Sequence, residues 1–369
     1  MPERTLSAIV LAAGAGTRMK SSRPKLLHLL AGRAMLQYVL GSLADCSATQ
    51  VVVVVGHGAE RVTKKLQAAE SDLHLTFVEQ HTQNGTGDAA SVGLTGLPDN
   101  DGPDSDLHDV VVLPGDMPLL QPATIASLVD AHRAADAACT VLTARVPDPG
   151  SYGRIVRGKD GQVARIVERA DATAEEATID EINTAVYCFR RSVLAPALRR
   201  LTPDNAQGEL YLTDVVAVLR DAGYRVGAVE VPDPSEAEGI NDRVQLAAAE
   251  AELRRRTNER WLRAGVTLVD PASTYLDATV TLGADVTIFP GTILQGATVI
   301  GSGSEIGPHT RLVDCVVGQG AVVEQSNGRD AEIGAGSTVG PFAALAPGAS
   351  VPAGTVTGPF YAATGPDDG

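Results

Sequence analysis

The last third of this 369-residue chain carries aliphatic residues at every sixth position, and no other feature restricts the fold as strongly. The series begins with Leu282, Ile288, Leu294, Ile300, Ile306 and Leu312. After a one-residue slip come Val317 and Val323, and after an insertion around "EQSNGRD" come Ile333, Val339, Leu345 and Val351. Aliphatic residues six apart, often followed by glycine, are typical of hexapeptide repeats. We therefore predict a short left-handed parallel β-helix in which these side chains point inward and stack from coil to coil.

The first two thirds of the chain alternate short apolar runs with amphipathic stretches. The runs are "AIVLA" at 8–12, "VVVVVG" at 51–56 and "VVVLPGD" at 110–116, and helical patterns lie between them at 35–43 and 59–68. Continuous apolar runs are typical of parallel strands that are covered on both faces. We predict an α/β fold with a doubly wound, mostly parallel, Rossmann-like sheet. Ligands bind at the carboxyl ends of such strands, so we expect a site at the turns after Ala12 and Leu113.

A long Ala-, Glu- and Arg-rich stretch separates the two patterns. It reads "NDRVQLAAAEAELRRRTNERWLRAG" and ends at Gly265, which is typical of a helix that stops at a glycine. We predict an α/β domain over 1–243, a linker helix over 244–263 and a β-helix domain over 264–369.

Charge and composition exclude several classes of partner. The net charge of −15 argues against nucleic acids and anionic membranes. No apolar run approaches the roughly 18 residues of a membrane helix, and the first one lacks a signal-peptide cleavage pattern. The four cysteines are far apart in the sequence, so we expect reduced, packed thiols rather than a metal or redox pair. Together these features predict a cytoplasmic protein.

The glycine-rich turn after the first apolar run is the strongest candidate for a binding site. It reads "AAGAGTRM" and is followed by "SSRPK". The dinucleotide fingerprint requires a glycine where Met19 stands, and no Gly-Lys-Ser/Thr follows for a Walker loop. What remains is a strand-to-helix turn with free backbone N–H groups and two cations, Arg18 and Lys25. In an acidic protein, such a turn predicts a local triphosphate site.

The stretch "LAAGAGTRMKSSRPK" resembles the signature of the sugar-nucleotide pyrophosphorylases. Further along, "QNGTGDA", "PGDMPLL", "SYGRIVR", "EINTAVY", "NAQGELYLTD" and "EAEGINDRVQL" occur in the order found in one branch of these enzymes. That branch is the bacterial bifunctional N-acetylglucosamine-1-phosphate uridyltransferase/glucosamine-1-phosphate acetyltransferase family. The resemblance implies a nucleotidyltransferase fold and the synthesis of UDP-N-acetylglucosamine from UTP and N-acetylglucosamine 1-phosphate, for peptidoglycan and the cell wall.

The resemblance also implies which residues of this chain form the site. Uracil and ribose would be surrounded by Leu11, Ala12, Ala13, Gly14, Gln80, Gly85 and Thr86. The phosphates would face Arg18 and Lys25. The N-acetylglucosamine moiety would lie against Gly153, Glu168 and Asn183. Mg²⁺ would be held by Asp116 and Asn241, and Asn241 would also contact the substrate.

Elementary chemistry agrees with these implied roles. Asp116 directly follows an apolar strand, where a carboxylate is well placed for a hard cation that bridges substrate phosphates. A solvated turn residue is the alternative for Asp116, and a helix N-cap is the alternative for Asn241. In the implied reaction the attacking sugar phosphate is already an anion, so no general base is required. Catalysis would consist of positioning and charge neutralisation by Mg²⁺, Lys25 and Arg18.

The chain departs from the family pattern in both halves. Pro114 stands where a tyrosine is expected, and Ala185 replaces the glycine of "NTG", so a strict preference for UTP and the acetylated sugar does not follow from the resemblance. In the β-helix, Ala346 replaces an arginine, His309 is the only late histidine, and no lysine follows Lys159. The chain also stops several coils earlier than the family pattern. We therefore expect acetyltransferase activity to be absent.

Two other functions remain open at this stage. One is a related sugar-1-phosphate nucleotidyltransferase, such as a glucose-1-phosphate thymidylyl- or uridylyltransferase. The other is a non-catalytic UDP-sugar-binding scaffold, against which the presence of both cations, Asp116 and Asn241 argues. The family implies a homotrimer formed through the β-helix, although a short β-helix offers little surface for it.

Overall fold

The computed structural model describes residues 4–56, 59–67, 73–98 and 105–365. The chain divides into two compact units. The first comprises Met1–His28 and Ala34–Gln245, and the second comprises Leu29–Arg33 and Leu246–Gly369. Within the described ranges, no helix combines the length and the hydrophobicity that crossing a membrane requires.

Helices and longer strands occupy the chain up to residue 263. The first eleven strands are β1 Thr5–Ala12, β2 Leu29–Leu30, β3 Arg33–Ala34, β4 Gln50–Val55, β5 Leu75–Glu79, β6 His108–Pro114, β7 Cys139–Arg145, β8 Arg154–Arg157, β9 Val163–Val167, β10 Glu181–Arg190 and β11 Val226–Glu230. The α-helices are α1 Met35–Asp45, α2 Ala59–Gln67, α3 Thr86–Thr95, α4 Pro122–Ala134, α5 Arg191–Leu198, α6 Asp214–Asp221 and α7 Arg243–Arg263. Short 3₁₀ turns are Thr17–Met19, Lys25–Leu27, Ser105–Leu107, Glu176–Thr178, Pro234–Ala237 and Pro271–Ser273.

The first unit is built on one mixed sheet. Its strands lie in the order β11-β7-β10-β6-β1-β4-β5. Outside this order, β8 pairs with β10, and β9 pairs with β8. Strands β6, β1, β4 and β5 are parallel, whereas β10 runs antiparallel to both β6 and β7. Val51 to Val55 are all buried, as expected for a strand covered on both faces. The predicted α/β fold is confirmed.

The carboxyl ends of β1 and β6 lie side by side. Their register pairs Leu11 with Pro114, and the Gly115 N–H donates to the Leu11 carbonyl at 2.9 Å. The chain therefore leaves both strands at one edge of the sheet, which brings the glycine-rich turn beside Asp116. This is the edge at which parallel α/β sheets bind ligands.

The second unit is the predicted left-handed parallel β-helix. Its strands are β12 Thr267–Leu268, β13 Tyr275–Leu276, β14 Thr281–Leu282, β15 Thr287–Ile288, β16 Ile293–Gln295, β17 Val299–Ile300, β18 Glu305–Ile306, β19 Arg311–Val313, β20 Val316–Val317, β21 Val322–Val323, β22 Asn327–Arg329, β23 Glu332–Ile333, β24 Thr338–Val339, β25 Ala344–Leu345, β26 Ser350–Val351 and β27 Ala362–Ala363. They form three parallel sheets, and neighbouring strands within each sheet belong to successive coils. All twelve aliphatic residues of the hexapeptide series are buried in one core.

The insertion expected around "EQSNGRD" is wrong. That segment contains β22, which pairs with β19 below and β25 above, so it is a regular part of a coil. Gly328 occupies the inward position between Leu312 and Leu345. A Cβ at Gly328 would lie 3.1 Å from Leu312 Cδ2 and 3.3 Å from Cys315 Sγ, so the neighbours already fill the space of its side chain. The six-residue period is interrupted because Gly328 contributes no apolar side chain and because the inward residues Val323, Gly328 and Ile333 are five positions apart.

The Ala-, Glu- and Arg-rich stretch between the two patterns forms a long helix. Helix α7 runs from Arg243 to Arg263, and in the second unit the Asn258 side chain donates to the carbonyls of Pro271 and Thr274. These bonds fix the helix to the first coil.

The four cysteines are free thiols, as expected, and all but the half-buried Cys46 are fully buried.

Candidate active site

A cavity of about 340 Å³ opens at the carboxyl edge of the sheet in the first unit. Its walls come from the turn after β1, the segment between β5 and α3, the end of β6, strand β10 and the segment before α6. The lining residues are Leu11, Ala12, Ala13, Gly14, Lys25, Leu26, Gln80, Gln83, Gly85, Thr86, Ala89, Pro114, Asp116, Glu168, Asn183, Ala185, Tyr187, Glu209, Leu212 and Thr213.

Eleven of the fourteen site residues expected from the sequence line this cavity. The exceptions are Arg18, Gly153 and Asn241. Asn241 nevertheless contacts Lys25, and the Gly153 carbonyl accepts the Asn183 N–H at 2.9 Å, which places both beside the wall. Arg18 lies exposed on the 3₁₀ turn Thr17–Met19, with no hydrogen bond or ion pair to any described residue.

Gly16 brings the glycine-rich turn back against Lys25. Its φ of 62° lies in the left-handed region, which residues with a side chain adopt at a cost. A Cβ at this position would also come within 2.7 Å of Lys25 Cβ. The turn therefore needs glycine for two reasons, and the close approach directs the lysine side chain toward the strand ends.

Lys25, Asp116 and Asn241 form one polar cluster. The Lys25 ammonium donates to Asp116 Oδ2 and, at 3.0 Å, to Asn241 Oδ1. Asn241 is held in turn, because its Nδ2 donates to the Gly239 carbonyl at 3.2 Å, while the Ile240 N–H donates to the Asp116 carbonyl at 2.9 Å. A carboxylate oxygen and an amide oxygen thus converge on a single positive charge.

This oxygen pair has the chemistry of a magnesium site. Mg²⁺ takes oxygen ligands, is often held by one or two protein groups, and completes its shell with water and substrate phosphates. Within the described ranges, no group of three or more His, Cys, Asp or Glu residues is arranged to hold a metal by itself. Asp116 and Asn241 therefore fit a cation that is shared with substrate phosphates. The Lys25 ammonium contacts the same two oxygens, which indicates that this position stabilises positive charge.

At one end of the cavity the walls are held by amide side chains. Gln80 Nε2 donates to Asp88 Oδ2 at 2.7 Å and to the Gly85 carbonyl at 3.2 Å. Gln83 Nε2 donates to the Ala13 carbonyl at 2.6 Å, which ties the segment after β5 to the glycine-rich turn. Gly85, with φ of 107°, packs against the Leu210 carbonyl.

Another part of the wall carries the half-buried carboxyl group of Glu168. Thr213 Oγ1 donates to Glu168 Oε1 at 3.1 Å. Burial raises the pKa of the Glu168 carboxyl above its ordinary value, and the nearby carboxylates of Asp214 and Asp171 add to this rise. Asn183 Nδ2 donates to the Tyr187 hydroxyl at 2.8 Å. The arrangement offers hydrogen-bond groups to a neutral polyhydroxy ligand.

Ala185 has a backbone that would suit glycine. Its φ is 62°, at an irregularity in the pairing of β10 with β7 between Asn183 and Tyr187. The Ala185 N–H donates to Asn183 Oδ1 at 3.1 Å, so this bend helps to orient the asparagine. The methyl group lines the cavity.

Several lining residues were not singled out from the sequence. They are Leu26, Gln83, Ala89, Tyr187, Glu209, Leu212 and Thr213. Five of them belong to "QNGTGDA" and "NAQGELYLTD", family-like motifs in which only Gly85 and Thr86 were given a role: Gln83, Ala89, Glu209, Leu212 and Thr213. The two motifs meet in the fold, because the Leu212 N–H donates to Thr86 Oγ1 at 3.0 Å and the Gly87 N–H donates to the Leu210 carbonyl at 2.7 Å.

Comparison with known proteins places this site in a family. Residues 8–218 match the family described as MobA-like NTP transferase domain. The Bifunctional protein GlmU of Rhodococcus opacus (strain B4) is 49% identical over 375 residues, covering 100% of this chain and 74% of that protein. The protein of the same name from Mycolicibacterium smegmatis (strain ATCC 700084 / mc(2)155) is 47% identical, covering 96% of this chain and 73% of that protein.

Among solved structures, a UDP-glucose pyrophosphorylase complexed with UDP-glucose matches with a TM-score of 0.55. It is 14% identical and covers 68% of this chain and 99% of that chain, so it supports the fold alone. The family resemblance expected from the motifs is confirmed by the relatives. With more than half of its residues matched by the NTP transferase family and all of them aligned to a Bifunctional protein GlmU, the chain is a nucleotidyltransferase that belongs to the GlmU family.

Proposed function

We propose that this chain catalyses the reaction of UTP with N-acetylglucosamine 1-phosphate to give UDP-N-acetylglucosamine, a precursor of peptidoglycan, and pyrophosphate. The observation that carries this proposal is the cluster of Lys25, Asp116 and Asn241 beside a glycine-rich turn, at the edge of a cavity of about 340 Å³. One cation, one carboxylate and one amide at the end of a nucleotide-sized cavity suit phosphate chemistry.

The two ends of the cavity would take the two ends of the product. The nucleoside would lie between the turn Leu11–Gly14 and the amide-lined wall of Gln80, Gly85 and Thr86. The acetylated sugar would lie against Gly153, Glu168 and Asn183. Burial raises the pKa of Glu168, and its carboxyl group offers hydrogen-bond partners to the hydroxyl groups of a sugar.

Magnesium would be held by Asp116 and Asn241 together with substrate phosphate oxygens. When bound, the ion supplies positive charge that stabilises the phosphates during transfer. Lys25 lies within hydrogen-bond distance of both residues, so its ammonium would act on the same phosphates. Arg18 is exposed beside the turn and has no competing partner among the described residues, which leaves it available to the pyrophosphate end.

The reaction follows from positioning and charge. A phosphate oxygen of the sugar phosphate forms a bond to the α-phosphorus of UTP, and the bond from that phosphorus to the bridging oxygen of the β-phosphate breaks. The electron pair leaves with pyrophosphate. No proton is transferred, so the residues of this chain align the two anions, offset their mutual repulsion and stabilise the charge on the leaving group.

A substrate panel tests the proposal. We expect the wild-type protein with Mg²⁺ to release pyrophosphate fastest with UTP and N-acetylglucosamine 1-phosphate, and chelation of the metal to abolish the release. Pro114 and Ala185 both line the cavity, so dTTP and glucose 1-phosphate are the informative competitors. A clear preference for either competitor would assign the chain to a related nucleotidyltransferase. UDP-sugar binding without pyrophosphate release would instead indicate a scaffold.

We make four further proposals about the whole chain. Residues 1–243 form the catalytic domain, 244–263 the linker helix and 264–369 the β-helix domain, and the protein acts in the cytoplasm. The β-helix forms a homotrimer, which sedimentation would report as three times the 38.1 kDa chain mass. No lysine occurs after Lys159 and Ala346 replaces an arginine, so we expect no acetyl transfer from acetyl-CoA to glucosamine 1-phosphate.

A further inference from the structure

Gln80 is a buried amide at the nucleoside end of the cavity. The residue is 5% exposed, and its backbone N–H donates to the Val55 carbonyl at 2.8 Å, which fixes its position just after β5. Both hydrogens of its side-chain nitrogen are used, one toward Asp88 Oδ2 at 2.7 Å and one toward the Gly85 carbonyl at 3.2 Å. Its Oε1 has no hydrogen-bond partner among the described residues.

The orientation of this amide is dictated by its partners. An ionised carboxylate and a backbone carbonyl can only accept hydrogen bonds, so the amide nitrogen has to face both of them. The oxygen is therefore directed away from Asp88 and Gly85, and Gln80 lines the cavity. Reversing the amide would place two oxygens against each other at Asp88, which burial makes costly.

Asp88 also lies near the N-terminus of a helix. It lies in the first turn of α3, where the positive end of the helix dipole favours a carboxylate. Its position in the helix also gives it an ordinary alternative role, the stabilisation of the N-terminus of α3. The two roles differ in what they affect, because a helix-stabilising carboxylate would not influence which base binds.

We propose that Asp88 is a positioning residue that determines base specificity by holding the Gln80 carboxamide with its oxygen toward the base. This inference deepens the proposed function and rests on it, since the nucleoside has to occupy this end of the cavity. The N3 position of uracil carries a hydrogen and donates to the fixed oxygen. The N3 position of cytosine has a lone pair instead, so two acceptors would face each other. The site therefore accepts uridine and rejects cytidine.

The two pyrimidines are the right pair for a test because they have the same size and shape. Guanine also presents a ring N–H, so a purine comparison would mix hydrogen bonding with the fit of a larger base. Asp88→Asn keeps the size of the side chain but can donate as well as accept, which allows the Gln80 amide to reverse. Asp88→Ser has the same freedom with a smaller side chain and serves if the first variant is unstable.

The measurement is the affinity of the full chain for UDP and for CDP by calorimetry, in the wild type and both variants. We expect the wild type to prefer UDP and Asp88→Asn to reduce the UDP-to-CDP affinity ratio by about tenfold, the effect of one hydrogen bond to a buried group. Glu60→Gln is the matched control, because Glu60 is an exposed first-turn carboxylate of α2 that does not line the cavity. It should leave the ratio unchanged.

The outcomes separate this inference from the proposed function. A folded Asp88→Asn protein that has lost thermal stability but keeps the wild-type ratio would overturn the role of Asp88 alone, and so would a wild type that binds UDP and CDP equally. A wild type that binds neither nucleotide would contradict the proposed function and the role of Asp88 with it.

Discussion

At the residue scale, Glu168 is a cavity-lining carboxyl group whose protonation should make the stability of the protein depend on pH. Burial, with Asp214 and Asp171 nearby, raises the pKa of this carboxyl above the 4.5 of an exposed glutamate. A raised pKa in the folded state means that the protonated form is favoured by folding. The resulting contribution to stability is complete below the unfolded pKa and is lost as pH rises through the folded pKa.

Glu168→Gln should therefore become more stable relative to the wild type as pH rises. Glutamine imitates the protonated carboxyl, so the two proteins should have similar free energies of unfolding at about pH 4 and should differ, in favour of the variant, at about pH 8. Urea unfolding across this range measures the difference. A constant difference, or one that favours the wild type more strongly at high pH, would contradict the raised pKa.

Ala185 is a second residue for which the backbone conformation predicts how a substitution changes stability. Its φ of 62° suits glycine, so Ala185→Gly should relieve strain and raise the free energy of unfolding by about 1 kcal/mol. Ala144→Gly in β7 is the control, because that alanine is buried in an ordinary strand and its loss should destabilise the protein. Equal destabilisation by both changes would show that the bend at Ala185 carries no strain.

At the element scale, the coil that contains β22 tests how the β-helix tolerates a glycine at an inward position. Gly328 leaves room that Leu312 and Cys315 fill, with their side-chain atoms 3.1 and 3.3 Å from where a Cβ would lie. The change in the free energy of unfolding caused by Gly328→Ala should therefore be more favourable by about 1 kcal/mol in a Cys315→Ala background than in the wild type. A double-mutant cycle by urea unfolding measures this coupling, and additive effects would contradict the packing described here.

The same coil shows what the hexapeptide pattern can and cannot predict. Every aliphatic position that the spacing indicated is buried, because an inward side chain at each sixth residue is a direct consequence of the fold. Gly328 was missed since an inward glycine leaves no apolar residue for the period to detect. In the first unit, "VVVVVG" and "VVVLPGD" predicted strands because a strand covered on both faces requires a continuous apolar run. The antiparallel direction of β10 could not be predicted in this way, because it depends on pairing with distant strands.

At the scale of the whole molecule, the polar cluster of Lys25, Asp116 and Asn241 is assembled from distant parts of the chain. Lys25 contacts Asp116 across 91 positions and Asn241 across 216. Parallel strands that end at one edge explain why Asp116 meets the glycine-rich turn, and this could be predicted from the apolar runs. The approach of Asn241 was expected only from the family resemblance. The bond from Gln80 to Asp88 was not expected at all, because side-chain orientation is set by the packed fold.

The central claim is that Lys25 neutralises phosphate charge during nucleotidyl transfer. The most direct test is the rate of pyrophosphate release from UTP and N-acetylglucosamine 1-phosphate by the wild type, Lys25→Ala and Lys20→Ala. Lys20 is an exposed lysine just beyond the same turn and does not line the cavity. Lys20→Ala therefore removes the same charge as Lys25→Ala without removing a group from the cavity. We predict that Lys25→Ala lowers kcat by about a hundredfold or more while Lys20→Ala stays near the wild-type rate. A folded Lys25→Ala protein with a kcat close to wild type would contradict the claim.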